Sequence, residues 1–402
     1  MTTRRSTQKP VVPLGFRFSA GTAGIKVSGS PDLAFAEAVD GATAAAMFTT
    51  NRVTAAPLKV GKRHLAKSGG RVQAVVVNSG NANCATGAEG IRAAERVCRA
   101  VANEIGCKVE EVFPASTGVI GVPLPVDKLV RAIPAMVQAR GNDGDSAAKF
   151  ARAIMTTDTR MKTASVQVRI GQRDVTLLGV AKGAGMIHPR LATMLVYLFT
   201  DAEASVKELQ VALRGAVATT FNRISVDGDT STNDTVLLLA SGASGARVKD
   251  GRKEFTEALE SVCESLARQI IADAEGVKHV VNLTIEKARS ERDAEQVARA
   301  IANSPLVKTA WAGADPNWGR VLAAVGYSGV EIDADKVDIW FGPHRMCKRG
   351  MRAKFKENKV HAYLQDGVID VRVALNQGKQ AATFWTCDLT AEYVHINADY
   401  TT

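Results

Sequence analysis

The sequence predicts a layered α/β fold, an α+β arrangement with sheets sandwiched between helices, and three observations predict it. Short segments of period-two alternation recur between longer segments of helical spacing. Clusters of Gly, Asn and Asp separate them, as in GNDGD (141–145). The 402 residues are 46% hydrophobic, enough to bury a large core in two domains or layered halves. In chain order, residues 71–77 alternate as a strand, and 87–105 set Ile91, Ala94, Val97, Cys98 and Val101 at helical spacing, making a strand-loop-helix unit. Residues 124–140 and 146–155 read as two helices separated by the GNDGD turn. Strands at 164–170 and 175–180 run into a Gly-rich loop, and 194–200 is a core strand. Helices follow at 206–221 and 254–274, a strand at 280–286, a helix at 294–302, and strands at 336–341, 367–373 and 382–386. DPNWGR (315–320) is a structured turn opening a helix, with Trp318 as a packing anchor.

Composition narrows the function classes. No apolar run reaches the roughly 18 residues of a membrane span. The opening MTTRRSTQKP lacks the apolar stretch of a secretory leader, so a cytoplasmic location is expected. Cysteines at 84, 98, 107, 263, 347 and 387 form no C-x-x-C pair; they are read as reduced and mostly buried, with Cys84 the one placed where a thiol can reach solvent. The net charge of +10 suits an anionic substrate better than nucleic acid, because basic residues do not gather into a stripe. The densest run, HRMCKRGMRAKFKEN (344–358), reads as one solvated or interface face. SVDGDTSTNDT (225–235) offers Asp227, Asp229, Asn233 and Asp234, but Thr232 and Leu238 stand where a calcium loop needs Gly and Glu. It reads instead as a turn knitted by side chains bonded to backbone N–H groups, and no metal is expected. No phosphate-cradling Gly loop or dinucleotide fingerprint occurs, so no nucleotide cofactor is expected.

The chemistry concentrates at KGAGMIHPRLATMLVYLFTD (182–201), where a Thr follows a small residue and precedes an apolar run. If the Ala192–Thr193 bond breaks, Thr193 carries a free α-amine beside its own hydroxyl, so that one residue supplies nucleophile and general base. An α-amine with a pKa of about 7.7–8.0 is partly neutral at neutral pH and can accept that proton. Before cleavage the same hydroxyl can attack the Ala192 carbonyl in an N-to-O acyl shift. Read by itself, the segment is also an ordinary Gly/Pro loop feeding a core strand.

NSGNAN (78–83), PASTGVIG (114–121), IMTTDT (154–159), KGAGM (182–186), ATML (192–195), SVDGDTSTNDT, DPNWGRVLAAVGYSG (315–329) and INADYTT (396–402) occur in an order that resembles the ornithine acetyltransferase family of arginine biosynthesis. The resemblance implies the layered fold shared with DmpA-like enzymes. It also implies an acetyl group moved from N-acetylornithine to glutamate, giving ornithine and N-acetylglutamate, through an ester on Thr193 after self-cleavage before that residue. The products of cleavage would be an α chain, residues 1–192, and a β chain, residues 193–402, assembled as a heterotetramer of two of each. Acetyl-CoA would serve as a second donor in bifunctional members, and no other cofactor is implied.

On the family pattern, Thr117 and Gly118 of PASTGVIG form an oxyanion hole, where Gly permits close approach of the backbone. Outside that pattern they are an ordinary turn after a strand at 112–113. Lys182 falls among the substrate ligands, its ammonium fixing a carboxylate, although alone it is equally a surface lysine at a strand end. Thr156 is assigned as a second hydroxyl ligand; Thr157 adjoins it, and the sequence does not separate the two. Glu275, read as ending a long helix against the macrodipole, suits the cationic amine of ornithine. Asn397 and Thr402 would complete the pocket from the C-terminal segment, which must then be tied down. The rival class is a self-processing amidase or aminopeptidase that hydrolyses the same acyl-enzyme.

Overall fold

A computed structural model describes residues 9–188 and 194–399. Ala192, Thr193 and Thr402 lie outside the described residues. Fifteen strands are found among those described: β1 (Phe16–Gly21), β2 (Leu33–Phe48), β3 (Arg71–Asn81), β4 (Val112–Val119), β5 (Lys162–Ile170), β6 (Arg173–Lys182), β7 (Leu195–Thr200), β8 (Ile224–Ser225), β9 (Thr235–Ala240), β10 (Val280–Ala288), β11 (Asp338–Phe341), β12 (His344–Lys348), β13 (Met351–Arg352), β14 (Val368–Ala374) and β15 (Gln380–Cys387). They build two sheets. The first runs β4-β3-β2-β9-β7-β6-β5 with β1 paired to β2, and the second runs β13-β12-β11-β14-β10-β15-β8.

Helices cover these sheets as a layered α/β fold requires. The helices Val206–Thr219 and Arg252–Ala272 lay Leu209, Leu213, Val262 and Leu266 on Leu177, Val196, Leu198 and Leu238 of the first sheet. Trp385 and Cys387 of β15 enter the same cluster, so the two sheets share one core there. The opposite face of the first sheet packs Phe18, Tyr197 and Phe199 against Phe150 of the helix Gly144–Ala153, with Phe18 and Phe199 edge-on at 4.9 Å. The second sheet seals Leu283, Ile285, Ile339 and Val371 beneath Val297, Ile301 and Trp311.

Strands β7 and β9 lie beyond position 193, yet they form the middle of the first sheet beside β2, Leu195–Thr200 parallel to Thr235–Ala240. A cut before Thr193 therefore would fall inside a single folding unit. Six strands, β1, β2, β8, β9, β12 and β13, escaped sequence periodicity. β1 is short, and β2 (LAFAEAVDGATAAAMF) is buried along most of both faces, which erases the period-two signal.

Three expectations need correction. The helix expected over 254–274 is Arg252–Ala272, capped by Asp273, so Glu275 lies beyond the end of the helix and the macrodipole argument does not apply to it. Thr117 and Gly118 are not a turn after 112–113; β4 continues through them to Val119. The basic run at 344–358 is not one solvated face, because it divides among β12, β13 and the start of the helix Glu357–Leu364, with Met346 and Cys347 fully buried.

Candidate active site

The ends of β3, β4 and β6 and the loop leading into β9 converge on a cavity of about 110 Å³. Thr117 and Gly118 enter it from β4, Thr156 and Thr157 from the loop after the helix Gly144–Ala153, and Lys182 from the end of β6. Glu275 comes from the turn after Asp273, and Asn397 from the helix Ala391–Asp399. Every described residue singled out from the sequence as a ligand or oxyanion donor thus lines one cavity. Leu195, two positions after Thr193, pairs directly with Lys182 in the β6–β7 register.

Gly118 occupies its place for a steric reason. Its φ is +130°, and a Cβ built there would stand 2.3 Å from the carbonyl carbon of Gly80, its partner on β3. Only glycine lets the two backbones close at this point. Thr117 is buried, and its Oγ1 accepts a hydrogen bond of 3.2 Å from Lys182 Nζ. An oxygen that accepts from a cation keeps its own hydrogen for another acceptor.

Lys182 is buried rather than a surface lysine. Burial lowers its pKa, Asp158 opposes that most strongly, Lys162 adds to the fall, and Asp234 and Glu275 oppose it further. For Asp158, burial works against the charge, but Lys182, Lys162 and hydrogen bonds outweigh it and hold the carboxyl below the usual range. Asp234 behaves oppositely: burial pushes it well above the usual carboxylate range despite the Met194 N–H and Lys182 beside it.

The C-terminal helix is fastened where its ligand requires. Thr390 Oγ1 donates to Gly276 O at 2.7 Å, Tyr393 Oη to Asp227 at 3.2 Å, and Asn397 Nδ2 to Glu275 Oε2 at 2.9 Å. The Glu275 carboxylate lies against Gly185, where a Cβ would meet Oε2 at 2.3 Å. Asp227 in turn accepts from the N–H groups of Met186, Ile187 and Asp229, so SVDGDTSTNDT is a turn knitted by its side chains. Among the described residues no group of three or more His, Cys, Asp or Glu is arranged to hold a metal.

Sequence reasoning attached no role in the site to Asn233 or Asp158. Asn233 Nδ2 ties Ala82 O at 2.7 Å to Ser116 O at 2.8 Å, stitching the loop before β9 to both strands at the oxyanion corner. Both residues lie inside family-like segments, STNDT and IMTTDT, so the signal was present without a role attached. Cys84 is buried, as are Cys98, Cys263, Cys347 and Cys387.

Residues 17–402 match the ArgJ family. The chain belongs to that family. Relatives named arginine biosynthesis bifunctional protein ArgJ, from Dehalococcoides mccartyi and Neisseria meningitidis, are 44% and 43% identical to it, over 97% and 100% of this chain and 96% and 98% of theirs. A solved ArgJ from Bacillus halodurans is 41% identical and covers 50% of this chain and 96% of its own, with a TM-score of 0.48. An ornithine acetyltransferase from Mycobacterium tuberculosis, solved with ornithine, is 36% identical and covers 48% of this chain and 100% of its own, with a TM-score of 0.40. Membership in the ArgJ family makes the chain an acyl-transferring enzyme of arginine biosynthesis. Among the described residues no helix is long and apolar enough to cross a membrane.

Proposed function

We propose that this ArgJ-family chain cleaves itself between Ala192 and Thr193 into segments of 192 and 210 residues (402 less 192) and then moves an acetyl group from N-acetylornithine to glutamate. One observation carries the reading: Thr117, Gly118, Thr156, Lys182, Glu275 and Asn397, drawn from five distant segments of the chain, line a single cavity at the edge where the chain enters β7. Chemistry that needs a nucleophile, an oxyanion hole and ligands for both charges of an amino acid has its groups within one space.

The steps follow from these groups. The freed amine of Thr193 takes the proton of its hydroxyl, and Oγ1 attacks the acetyl carbon of N-acetylornithine. The oxyanion receives hydrogen bonds from the Thr117 hydroxyl and the Gly118 N–H, with the Lys182 charge behind Thr117. The tetrahedral intermediate collapses as the protonated Thr193 amine returns its proton to the leaving nitrogen, so ornithine departs and the acetyl ester remains. Glutamate then enters, its neutral amine attacks the ester carbonyl, and N-acetylglutamate leaves as Thr193 recovers its hydroxyl. Glu275 receives the side-chain ammonium of ornithine, Lys182 a substrate carboxylate, and Thr156, Asn397 and Thr402 hydrogen-bond the amino-acid portion. The pocket needs no cofactor; acetyl-CoA would be a second donor at the same ester, as the word bifunctional in its relatives' names suggests. Two α and two β chains in a cytoplasmic heterotetramer complete the proposal.

The experiment is denatured intact mass of purified protein beside Thr193→Ala, followed by an assay of acetyl transfer from N-acetylornithine to glutamate. Two fragments meeting at 192/193 with transfer in the wild type, and one inactive chain in the variant, is the expected result. An active, uncut Thr193→Ala protein sinks the proposal.

A further inference from the structure

We propose that Asp158 is a positioning residue for acetyl transfer, joining the two walls of the cavity through its carboxylate and acting as counter-charge to Lys182. The inference rests on the function proposed above. Asp158 is not among the cavity's lining residues, but its two oxygens reach segments that are. Oδ1 accepts from the Gly183 N–H at 2.6 Å and from Lys162 Nζ at 2.6 Å, while Oδ2 accepts from the Thr156 N–H at 3.1 Å. Thr156 and Thr157 belong to one wall, Lys182 and Gly185 to the other. Movement of one carboxylate would therefore shift both.

The carboxylate is itself held from behind. Lys162 Nζ lies 2.6 Å from Asp273 as well as from Asp158, and both acids and the lysine are almost fully buried. Asp273 caps the helix Arg252–Ala272 and accepts from the N–H groups of Thr159 and Arg160 at 3.1 Å each. An ionic chain thus runs from a helix end through Lys162 and Asp158 to the backbone of the loop that follows Lys182. Buried ion pairs are expensive to desolvate and often replaceable by hydrocarbon, so this one invites a reason for its place. The charged groups acting on Lys182 are Asp158, Lys162, Asp234 and Glu275, with Lys26 near enough to feel it. Burial favours the neutral amine; Asp158 favours the ammonium most strongly, and Lys162 works with burial.

That opposition of signs separates positioning from mere structure. If protonated Lys182 receives a substrate carboxylate, kcat/KM for N-acetylornithine falls on the alkaline side as Lys182 loses its proton. Asp158→Asn removes the supporting charge, so the alkaline limb moves to lower pH by about one unit. Its KM should rise about tenfold while kcat changes less. Lys162→Met removes a repelling charge and moves the limb to higher pH, whereas Asp158→Glu keeps the wild-type limb. The measurement is the pH profile of kcat and KM for the full-length wild type and each variant, with intact mass confirming equal self-cleavage. Limbs that stay fixed, or that move the same way in Asp158→Asn and Lys162→Met, overturn the proposal. Should Asp158→Asn fail to fold, Asp158→Glu decides alone: it keeps the charge and displaces the carboxylate, so a raised KM with an unmoved limb is expected, and an unchanged KM overturns the proposal. A limb that persists in Lys182→Met belongs to another group, which removes Lys182 from its proposed role and this inference with it. An inactive wild type fails the function itself before any variant is compared.

Discussion

Beside the first sheet Lys182 lines a cavity, with Asp158, Lys162 and Asp234 buried outside its lining, while the second sheet closes its centre with Leu283, Ile285, Ile339 and Val371. Buried ionisable groups do occur near the second sheet, but they close on the fold itself. Lys308 Nζ donates to Thr386 Oγ1 and to the Cys387 carbonyl, and His279 faces Asp388 at 2.8 Å. The two regions differ in what their ionisable groups face. Beside β15, Lys308 and His279 end on protein groups; around β4 and β6, Lys182 and the Thr117 hydroxyl border open space. Ionisable groups retained beside a cavity mark chemistry more reliably than ionisable groups retained in a wall.

The sharpest test of that difference uses two glycines. A Cβ on Gly118 would stand 2.3 Å from Gly80 C, and a Cβ on Gly378 would stand 2.1 Å from Ala288 O. Both substitutions to Ala press a side chain into backbone and should destabilise. Gly118→Ala should also lower kcat by about 10³, or roughly 4 kcal/mol, by displacing an oxyanion donor. Gly378→Ala should leave kcat/KM of the folded fraction within about twofold. Thermal melts beside steady-state kinetics decide it, and equal losses of kcat would dissolve the contrast between the sheets.

Next comes the hydrocarbon side. Leu283 is fully buried in the second core, so Leu283→Ala should cost about 3 kcal/mol in denaturant unfolding. Transfer activity of the folded protein should not change. A large rise in KM would mean that the second sheet shapes the cavity more directly than its distance in the fold indicates.

A smaller effect separates two acids of the first sheet by sign. Asp158 is depressed in the folded state, so its stabilising contribution is complete above the ordinary carboxylate pKa and is lost as pH falls through its folded value. Asp234 is raised, so its contribution is complete below the ordinary value and is lost as pH rises through its folded value. The wild-type advantage over Asp234→Asn should therefore shrink by about 1 kcal/mol or more as pH rises from about 5 to about 9. That over Asp158→Asn should be greatest in the same range and shrink only below about pH 4. Urea midpoints across pH measure both; parallel trends would show that Asp234 is ionised in the folded protein.

Much of this arrangement was legible in the sequence, and the exceptions have physical causes. The helix Gly87–Ile105 begins and ends where its apolar spacing and Gly106 place it, because one exposed face and one buried face leave a clean period. β2 was illegible because burial on both faces leaves no alternation to read. The residues of the cavity were legible one by one, as Thr117, Lys182 or Asn397, through motif resemblance; local propensity had suggested a turn at Thr117 and a helix end at Glu275, both incorrect. The link from Lys162 to Asp273 was out of reach, since the partners stand 111 residues apart and neither carries a local signal of pairing.

Asn397 gives the smallest effect and probes the edge of the comparison. It is exposed, yet its Nδ2 reaches Glu275 Oε2 at 2.9 Å and the Tyr393 carbonyl at 3.0 Å. The helix that carries it is also held by Thr390 and Tyr393, so Asn397→Ala should not release it. What the substitution removes is one donor to the carboxylate proposed to receive ornithine's ammonium. An exposed hydrogen bond of this kind contributes about 1 kcal/mol, so KM for N-acetylornithine should rise about fivefold with kcat nearly unchanged. KM for glutamate, which has no side-chain cation, should move less. Equal rises for both substrates would assign Asn397 to the amino-acid backbone that donor and acceptor share, and Glu275 would then act without its help.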